Sequence, residues 1–445
     1  MNEPGLTDSS NTPASGSQSK GASTFYWHYA WVIVAIAAVI QMVGASIRMA
    51  FGVFIDPLSQ TFGWDQGDIT LAYAINSLVT AVASPAAGWI GDRYGTRKAM
   101  TLGALMFVAG MLITGVIYQL WQFYFAFGVL LGIAQAIFLV PLVPGVMRWY
   151  RRQLGWGMGV LMASWGLGPA VAAPLMGYLI VHLDWQNTFW ATTGGSAVIM
   201  AILIYLYKDT PSDIGVDPYG TLPGESVKEE MVIDVERAKT FASYMKKTTV
   251  YYNMSSIHFL GCVGHAIILV YLIPIAVREG ISLVAAATIL AVMAAVSVPS
   301  RLFVPVLAEK MGVRAVMAIF FFLQGVTVIM LFWTHEHWMF YLFALVFGIG
   351  YGGESGGFPV LNRMYYGHAP QGTPYGFQML GAGLGMALGG WIGGVIFDLT
   401  GGYGSALAIS VIASLLGMVS TMLLEPTDKL LIPDWELEPT PAGPG

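Results

Sequence analysis

The sequence predicts an all-α membrane protein in which twelve transmembrane helices form two pseudo-symmetric six-helix bundles. Three observations carry that expectation. Only 10% of the 445 residues are charged while 56% are hydrophobic, whereas a soluble protein carries about 25% charged residues. Apolar stretches of roughly the 20 residues needed to cross a hydrocarbon core recur between Tyr29 and Leu424 with short polar breaks. A loop motif and a series of glycines recur at one constant offset of 217 positions, the mark of a duplicated unit. The stretches are continuously apolar and rich in Gly, Ala, Leu and Met rather than alternating, which sets a β-barrel aside.

Taken in order, residues 1–25 are rich in Ser, Gly, Thr, Asn and Pro and lack an apolar centre. They read as a disordered cytoplasmic tail and not as a cleavable signal peptide. The first bundle, 26–207, holds spans at 29–55, 69–90, 99–118, 123–147, 157–181 and 189–207. The longest internal polar stretch follows, with Pro211, Pro218, Pro223 and a charged run from Lys228 to Lys239. It reads as a cytoplasmic linker over 208–251. The second bundle, 252–424, holds spans at 252–277, 284–307, 313–333, 338–365, 375–397 and 405–424, and a second disordered tail occupies 425–445. Span five carries Gly159, Gly166, Gly168, Pro169, Pro174 and Gly177. Small residues let backbones approach and prolines bend a helix, so this span is expected at the seam between the halves.

Orientation follows from the basic residues, because Lys and Arg are retained on the cytoplasmic side. With both termini inside, all but three of the 20 Lys and Arg residues fall in cytoplasmic segments. Arg278 lies in an outer loop, and Arg48 and Arg301 lie within spans. The expected location is the inner or plasma membrane, multi-pass, with the lipid bilayer as surroundings.

The loop after span two reads Gly91-Asp92-Arg93-Tyr94-Gly95-Thr96-Arg97, and the loop after span eight reads Ala308-Glu309-Lys310-Met311-Gly312-Val313-Arg314. The same offset carries Gly159 to Gly376, Gly166 to Gly383, Gly168 to Gly385 and Gly177 to Gly394. The run from Gly88 to Lys98 resembles the signature between helices two and three of the major facilitator superfamily. That resemblance covers the chain from Tyr26 to Leu424 and implies a conformational lock made of Asp92, Arg93, Gly95 and Arg97, with Glu309, Lys310 and Arg314 in the second copy. It places the helix partner of Asp92 at the start of span eleven, near Gly376. Physically, an acid can sit at a positive helix end while the bases act as topology signals.

An ionisable group at mid-membrane costs roughly 2.5–3.5 kcal/mol on insertion scales, so it marks a pathway, a cavity or a buried partner. Arg48, His265, Arg301 and Glu354 are the candidates, and the repeat offset takes Arg48 onto His265. Arg301 offers a planar fork of donors suited to a carboxylate. Its alternative role is an Arg satisfied by carbonyls freed at Pro299 or Pro305. Glu354 and His265 are the protonatable candidates for coupling; Glu354 reads equally as the partner that neutralises Arg301 or Arg48 or as a bond to a neighbouring helix, and His265 as a neutral ring bonded to a helix backbone. Gln135, Tyr351 and Ser297 are further candidate substrate contacts, while Tyr73, Asn76 and Gln378 line a cavity or bond between helices.

The set resembles the monocarboxylate porter and oxalate–formate antiporter branches, in which an Arg on helix eight meets the substrate carboxylate; Arg301 is the matching position. In the animal monocarboxylate members an Asp stands four residues earlier and a Lys lies on helix one. Here those positions hold Ser297 and Arg48, a departure for the acid and a basic match for the other. Span eleven lacks the Lys of the oxalate exchangers.

The expected function is secondary active transport of a small organic anion, foremost a monocarboxylate with a proton as coupling ion, by alternating access in a monomer. Exchange of dicarboxylates or other organic anions is the alternative, and multidrug efflux a more distant one. No enzyme activity, cofactor, metal or nucleic acid is expected. Cys262 is the single cysteine, and the His335-Glu336-His337 spacing does not match a helical zinc motif.

Overall fold

The computed structural model is almost wholly helical and describes residues 28–151, 154–221, 235–367, 369, 372–429 and 431–433. Among the described residues, ten helical stretches are long and apolar enough to cross a membrane, one of them divided at Asp184; with His337–Gly356 they make twelve long helices in chain order. They are α1 (Tyr29–Met49), α2 (Gln66–Tyr94), α3 (Thr96–Thr114), α4 (Leu120–Met147), α5 (154–183) and α6 (185–206). The second six are α7 (Thr249–Arg278), α8 (Leu283–Met311), α9 (Val313–Ile329), α10 (His337–Gly356), α11 (Gly372–Thr400) and α12 (Gly404–Met422).

The expected loop over 182–188 is a single-residue corner. Asp184 adopts φ 72° and ψ 173° between α5 and α6, a conformation that residues other than glycine rarely take and that the surrounding contacts must hold. Its carboxylate accepts from the Asn187 backbone N at 2.9 Å and side-chain Nδ2 at 3.0 Å, so α6 starts at once with a capped first turn. Interruptions elsewhere follow the repeat. Helix α4 breaks at Val140–Pro141, where the proline has no N–H to donate, and resumes over Leu142–Met147. Helix α10 stops before Gly357, the residue equivalent to Val140, and resumes as Phe358–Tyr366. Helix α1 has no such counterpart: it loosens at Ala50 into a 3-10 turn over Phe51–Phe54, while α7 runs through unbroken.

The repeat offset holds for neighbours in space as well as for sequence. A methyl at Gly166 of α5 would lie 2.5 Å from Val298 Cγ2 and 3.0 Å from the Ala294 carbonyl of α8. At Gly383 of α11 it would lie 2.6 Å from Ala81 Cβ and 3.5 Å from the Ser77 carbonyl of α2, the equivalents of Val298 and Ala294. Gly177 meets Ala287 and Leu283 as Gly394 meets Thr70 and Gln66. Two glycine-lined seams, α5 on α8 and α2 on α11, therefore join the six-helix units, and each is the image of the other.

One end of the bundle carries the start of α1, residues 208–221 and the start of α7; it is the linker end, and its opposite the far end. At the far end the Asp398 carboxylate, on α11, accepts from the backbone N of Gln66 at 3.0 Å and of Gly67 at 2.6 Å in the first turn of α2. Tyr403 donates to the Gln66 side chain, and Gly52 backs directly onto the Val270 carbonyl. The far ends of the two units are thus tied across the seam. Asp56, just beyond α1, has its carboxyl pushed above the ordinary range by burial, against the opposing pull of Arg278.

At the linker end, His28 reaches the Asp217 carbonyl at 3.0 Å. Part of the polar stretch is itself a helix, Val235–Lys246, whose Phe241 and Met245 pack with Tyr251 and Tyr365. The chain after α12 is docked over its first residues. Glu425 accepts from Thr249 at 2.9 Å and its carbonyl accepts from Tyr365 at 2.5 Å, while Ile432 is buried. Residues 1–27 and 434–445, which hold the rest of both expected tails, lie outside the described residues.

Candidate substrate and proton site

The four charged or protonatable residues singled out within the spans are placed by four helices. His265 lies midway along α7, and its Nδ1 is 3.2 Å from Glu354 Oε2 of α10, both side chains being buried. Glu354 therefore pairs with the imidazole and with neither arginine. Its carboxylate lies flat against α7 because Gly261 has no side chain; a methyl there would collide with Oε1. That oxygen has no hydrogen-bond partner among the described residues.

Tyr351, three residues before Glu354 on the same helix, supplies an aromatic plate shared by a guanidinium and an imidazole. The Arg301 guanidinium of α8 lies over its ring at 4.7 Å, and the His265 ring meets it edge-on at 4.9 Å. Such contacts contribute about 0.5–2 kcal/mol depending on desolvation. Arg301 also donates to Ser355 Oγ at 2.7 Å, while its Nε is buried without a partner. Arg48, near the end of α1, donates to Ser77 Oγ of α2 at 3.3 Å and lies 5.9 Å from the Tyr73 ring. Among the described residues neither guanidinium is paired with a carboxylate. Cys262 on α7 is an electrostatic neighbour of both Glu354 and Arg48, so the arginine from the first half and the acid from the second face one region.

The remaining sequence candidates fall elsewhere. Ser297 donates to the carbonyl of Ala294 on its own helix at 2.7 Å and is packed where α8 meets Gly166 and Gly352. Gln135 is buried on α4, its amide nitrogen unpartnered among the described residues. Gln378 forms a reciprocal pair with Asn362 at 2.9 and 2.8 Å, and Asn76 donates to the Phe127 carbonyl at 2.8 Å. These are bonds between helices. A cavity of about 340 Å³ lies between α1, α5 and α8, lined by Val39, Met42, Trp156, Val160 and Leu302 among others.

Three neighbours of these groups escaped the sequence reading: Ser77, Ser355 and His258. The hydroxyls carry no signal of their own in a helix. His258 does, since it stands seven residues before His265 on the same face of α7.

The loop motif resolves into two parts. Gly95 and Gly312, at φ 91° and 89°, turn the chain between helices in a conformation that L side chains avoid. Arg97 then donates to the carbonyls of Ile204 at 3.0 Å and Tyr205 at 3.2 Å, at the end of α6. Arg314 donates to the Met422 carbonyl at 2.5 Å at the end of α12, and Met422 is the equivalent of Tyr205. Each base thus staples the last helix of its own unit at the negative end of the dipole. Arg93 lies over the Trp89 and Tyr94 rings at 5.4 and 5.8 Å, and Lys310 is exposed. The Asp92 and Glu309 side chains lie outside the described residues.

Two stretches of the chain, residues 34–335 and 254–444, match the family model described as Major Facilitator Superfamily. The chain belongs to the major facilitator superfamily. Among proteins similar to this superfamily member, YcxA of Bacillus subtilis (strain 168), an uncharacterised MFS-type transporter, is 24% identical over 401 residues, covering 86% of this chain and 92% of that protein. Monocarboxylate transporter 2 of Homo sapiens is 22% identical over 341 residues, covering 74% and 71%. Monocarboxylate transporter 13 of Bos taurus is 23% identical over 199 residues, covering 45% of this chain and 46% of its own length. In fold, this transporter is similar to the crystal structure of a bacterial homologue of the human lysosomal transporter Spinster in an inward-facing, unoccupied conformation. That likeness has a TM-score of 0.65 at 16% identity over 89% of this chain and 94% of the other.

Proposed function

We propose that this major facilitator superfamily protein is a proton-coupled transporter of small monocarboxylates. The observation that carries the reading is Arg301: a half-buried guanidinium held by Ser355 and Tyr351, with no carboxylate partner among the described residues. A buried cation costs free energy unless it is paired, and a substrate carboxylate supplies that pair through the bidentate geometry that Arg favours. Beside it, the buried His265–Glu354 pair is a group that takes up and releases a proton. Arg48 draws the anion toward the same region from the other half. The relatives named monocarboxylate transporters are consistent with this substrate class.

In this reading the linker end faces the cytoplasm, as the distribution of Lys and Arg requires, and the membrane is the inner or plasma membrane. The units 26–207 and 252–424 rock about the midplane, joined by 208–251, and the Asp92 motif locks the linker end in the opposite state. Binding at a fixed midplane site with rocking halves is the general behaviour of repeat-built transporters. The monomer holds the complete site.

The test is uptake of labelled lactate and pyruvate, beside an oxalate and succinate panel, into proteoliposomes under an imposed pH step. Arg301→Ala and Arg301→Lys should abolish uptake, Lys because it lacks the planar fork. Normal uptake by either variant sinks the reading. The two unpaired guanidiniums, Arg48 and Arg301, favour one second reading, exchange of dicarboxylates; it predicts uptake only against a preloaded dicarboxylate, indifferent to the pH step.

A further inference from the structure

Helix α7 carries a second buried histidine that the substrate contacts do not use. His258 stands two turns before His265, toward the linker end. Its ring stacks on Phe358 at 4.0 Å and 15°, and its Nδ1 is buried without a hydrogen-bond partner among the described residues. Gly261 lies between the two histidines, three residues from one and four from the other. Glu354 rests against that glycine with Oε2 on His265 and Oε1 unpartnered. Three residues of helix advance the chain by only about 4.5 Å. Two orphaned polar atoms, Glu354 Oε1 and His258 Nδ1, thus lie about one turn apart along the same helix face. Glu354 and His265 are the electrostatic neighbours of His258. Two unsatisfied groups, one a carboxylate oxygen and one an imidazole nitrogen, set this near each other call for a reason.

We propose that His258 is the proton relay between Glu354 and the linker end. This rests on the reading of Glu354 as the proton carrier. In the transfer, the Glu354 O–H bond breaks as a His258 Nδ1–H bond forms, through one water that spans the turn. The imidazolium then gives its Nε2 proton to water at the break at Gly357, where Phe358 begins the last segment of α10, leaving a neutral ring with its hydrogen on Nδ1. No electrons change hands. The other groups around the carboxylate are His265 and Cys262 of α7, Tyr351 of its own helix, Arg301 of α8 beyond the Tyr351 ring and Arg48 of α1. Helix α9 contributes the Phe321 ring against Gly261 and Gln324, whose Nε2 donates to the Gly261 carbonyl at 3.5 Å and whose Oε1 is buried without a partner among the described residues. Of these, His258 alone lies toward the linker end on the α7 face that holds the pair. Gly261 itself is part of the device, since any side chain there would push the carboxylate off α7.

The experiment compares full-length wild type, His258→Gln, His258→Asn and Glu354→Gln in proteoliposomes with labelled lactate. Two modes are read: net uptake driven by a pH step, which requires proton release, and counterflow at equal pH, which does not. Both His258 variants should lose about 10²-fold in net uptake, the low end for a missing proton-transfer group, with a displaced pH profile and counterflow and melting temperature unchanged. Net uptake with the wild-type pH profile in both variants overturns the relay, as does an equal fall in net uptake and counterflow. Glu354→Gln keeps the two readings apart. If it abolishes proton-driven uptake while the His258 variants behave as wild type, only the relay fails. If it retains proton-driven uptake, the carrier reading fails, and the relay with it.

Discussion

Asp398→Ala should release the far end of the molecule. The carboxylate accepts two first-turn amides of α2, from Gln66 at 3.0 Å and Gly67 at 2.6 Å, across the seam between the halves. Loss of an N-terminal cap costs about 0.5–2 kcal/mol, and the charge adds up to ~1 kcal/mol against the helix dipole. A net change of about 1–2 kcal/mol shifts a two-state population by a factor of roughly 5–30. Because the bonds join different halves, the loss falls on the state with the far end closed, and the open state gains. The assay is electron–electron resonance between spin labels at Tyr118→Cys and Glu336→Cys in a Cys262→Ala background, two exposed positions on far-end loops of different halves. Wild type should give one short distance population and Asp398→Ala a second, longer one. Asp398→Asn keeps an acceptor without the charge and should fall between them. An unchanged distance distribution in Asp398→Ala would refute the latch.

Two more outcomes follow from the same geometry. Gly394→Ala should be more damaging than its repeat equivalent Gly177→Ala, because the added methyl meets Thr70 Oγ1 at 2.5 Å and the Gln66 carbonyl at 2.7 Å in one case and Ala287 Cβ at 3.1 Å and the Leu283 carbonyl at 3.5 Å in the other. Overpacking of this kind costs about 1–3 kcal/mol, and thermal unfolding in detergent reads the order; equal melting temperatures would contradict it. Asp56→Asn should stabilise the protein at neutral pH. The carboxyl of Asp56 is raised above its ordinary value by burial, so the folded state binds the proton more tightly and gains stability as pH falls through that raised value. The gain from the amide should therefore shrink as pH falls toward the ordinary carboxylate value, and a pH-independent gain would contradict the cause given.

The transmembrane plan was legible because span length and the 217-residue offset both follow from the duplicated unit and the hydrocarbon it crosses. The offset also gave the seams, since Gly166 and Gly383 must each be small for a neighbouring backbone to approach. What stayed hidden were features set by single residues. The corner at Asp184 needs a left-handed residue and an immediate cap, and hydropathy registers neither. The helix Val235–Lys246 lies in a stretch whose charge reads as linker, yet Phe241 and Met245 on one face suffice to dock it. At the site, pairing was the obscure part. The sequence offered Glu354 to either arginine or to a neighbouring helix; its partner is decided by the notch at Gly261, which is a matter of shape rather than charge.

Under the proposed function, the Tyr351 ring, with Arg301 on its face and His265 at its edge, would make anion and proton occupancy a thermodynamically linked pair. A carboxylate that draws the guanidinium toward itself alters the field on the imidazole less than 5 Å from the same ring. Linkage is reciprocal: the factor by which bound anion changes proton affinity equals the factor by which bound proton changes anion affinity. The sign of coupling can therefore be read without following protons at all, from the substrate dissociation constant at two pH values. No rocking of the halves is needed for that linkage, because the ring, the guanidinium and the imidazole already touch in this one arrangement.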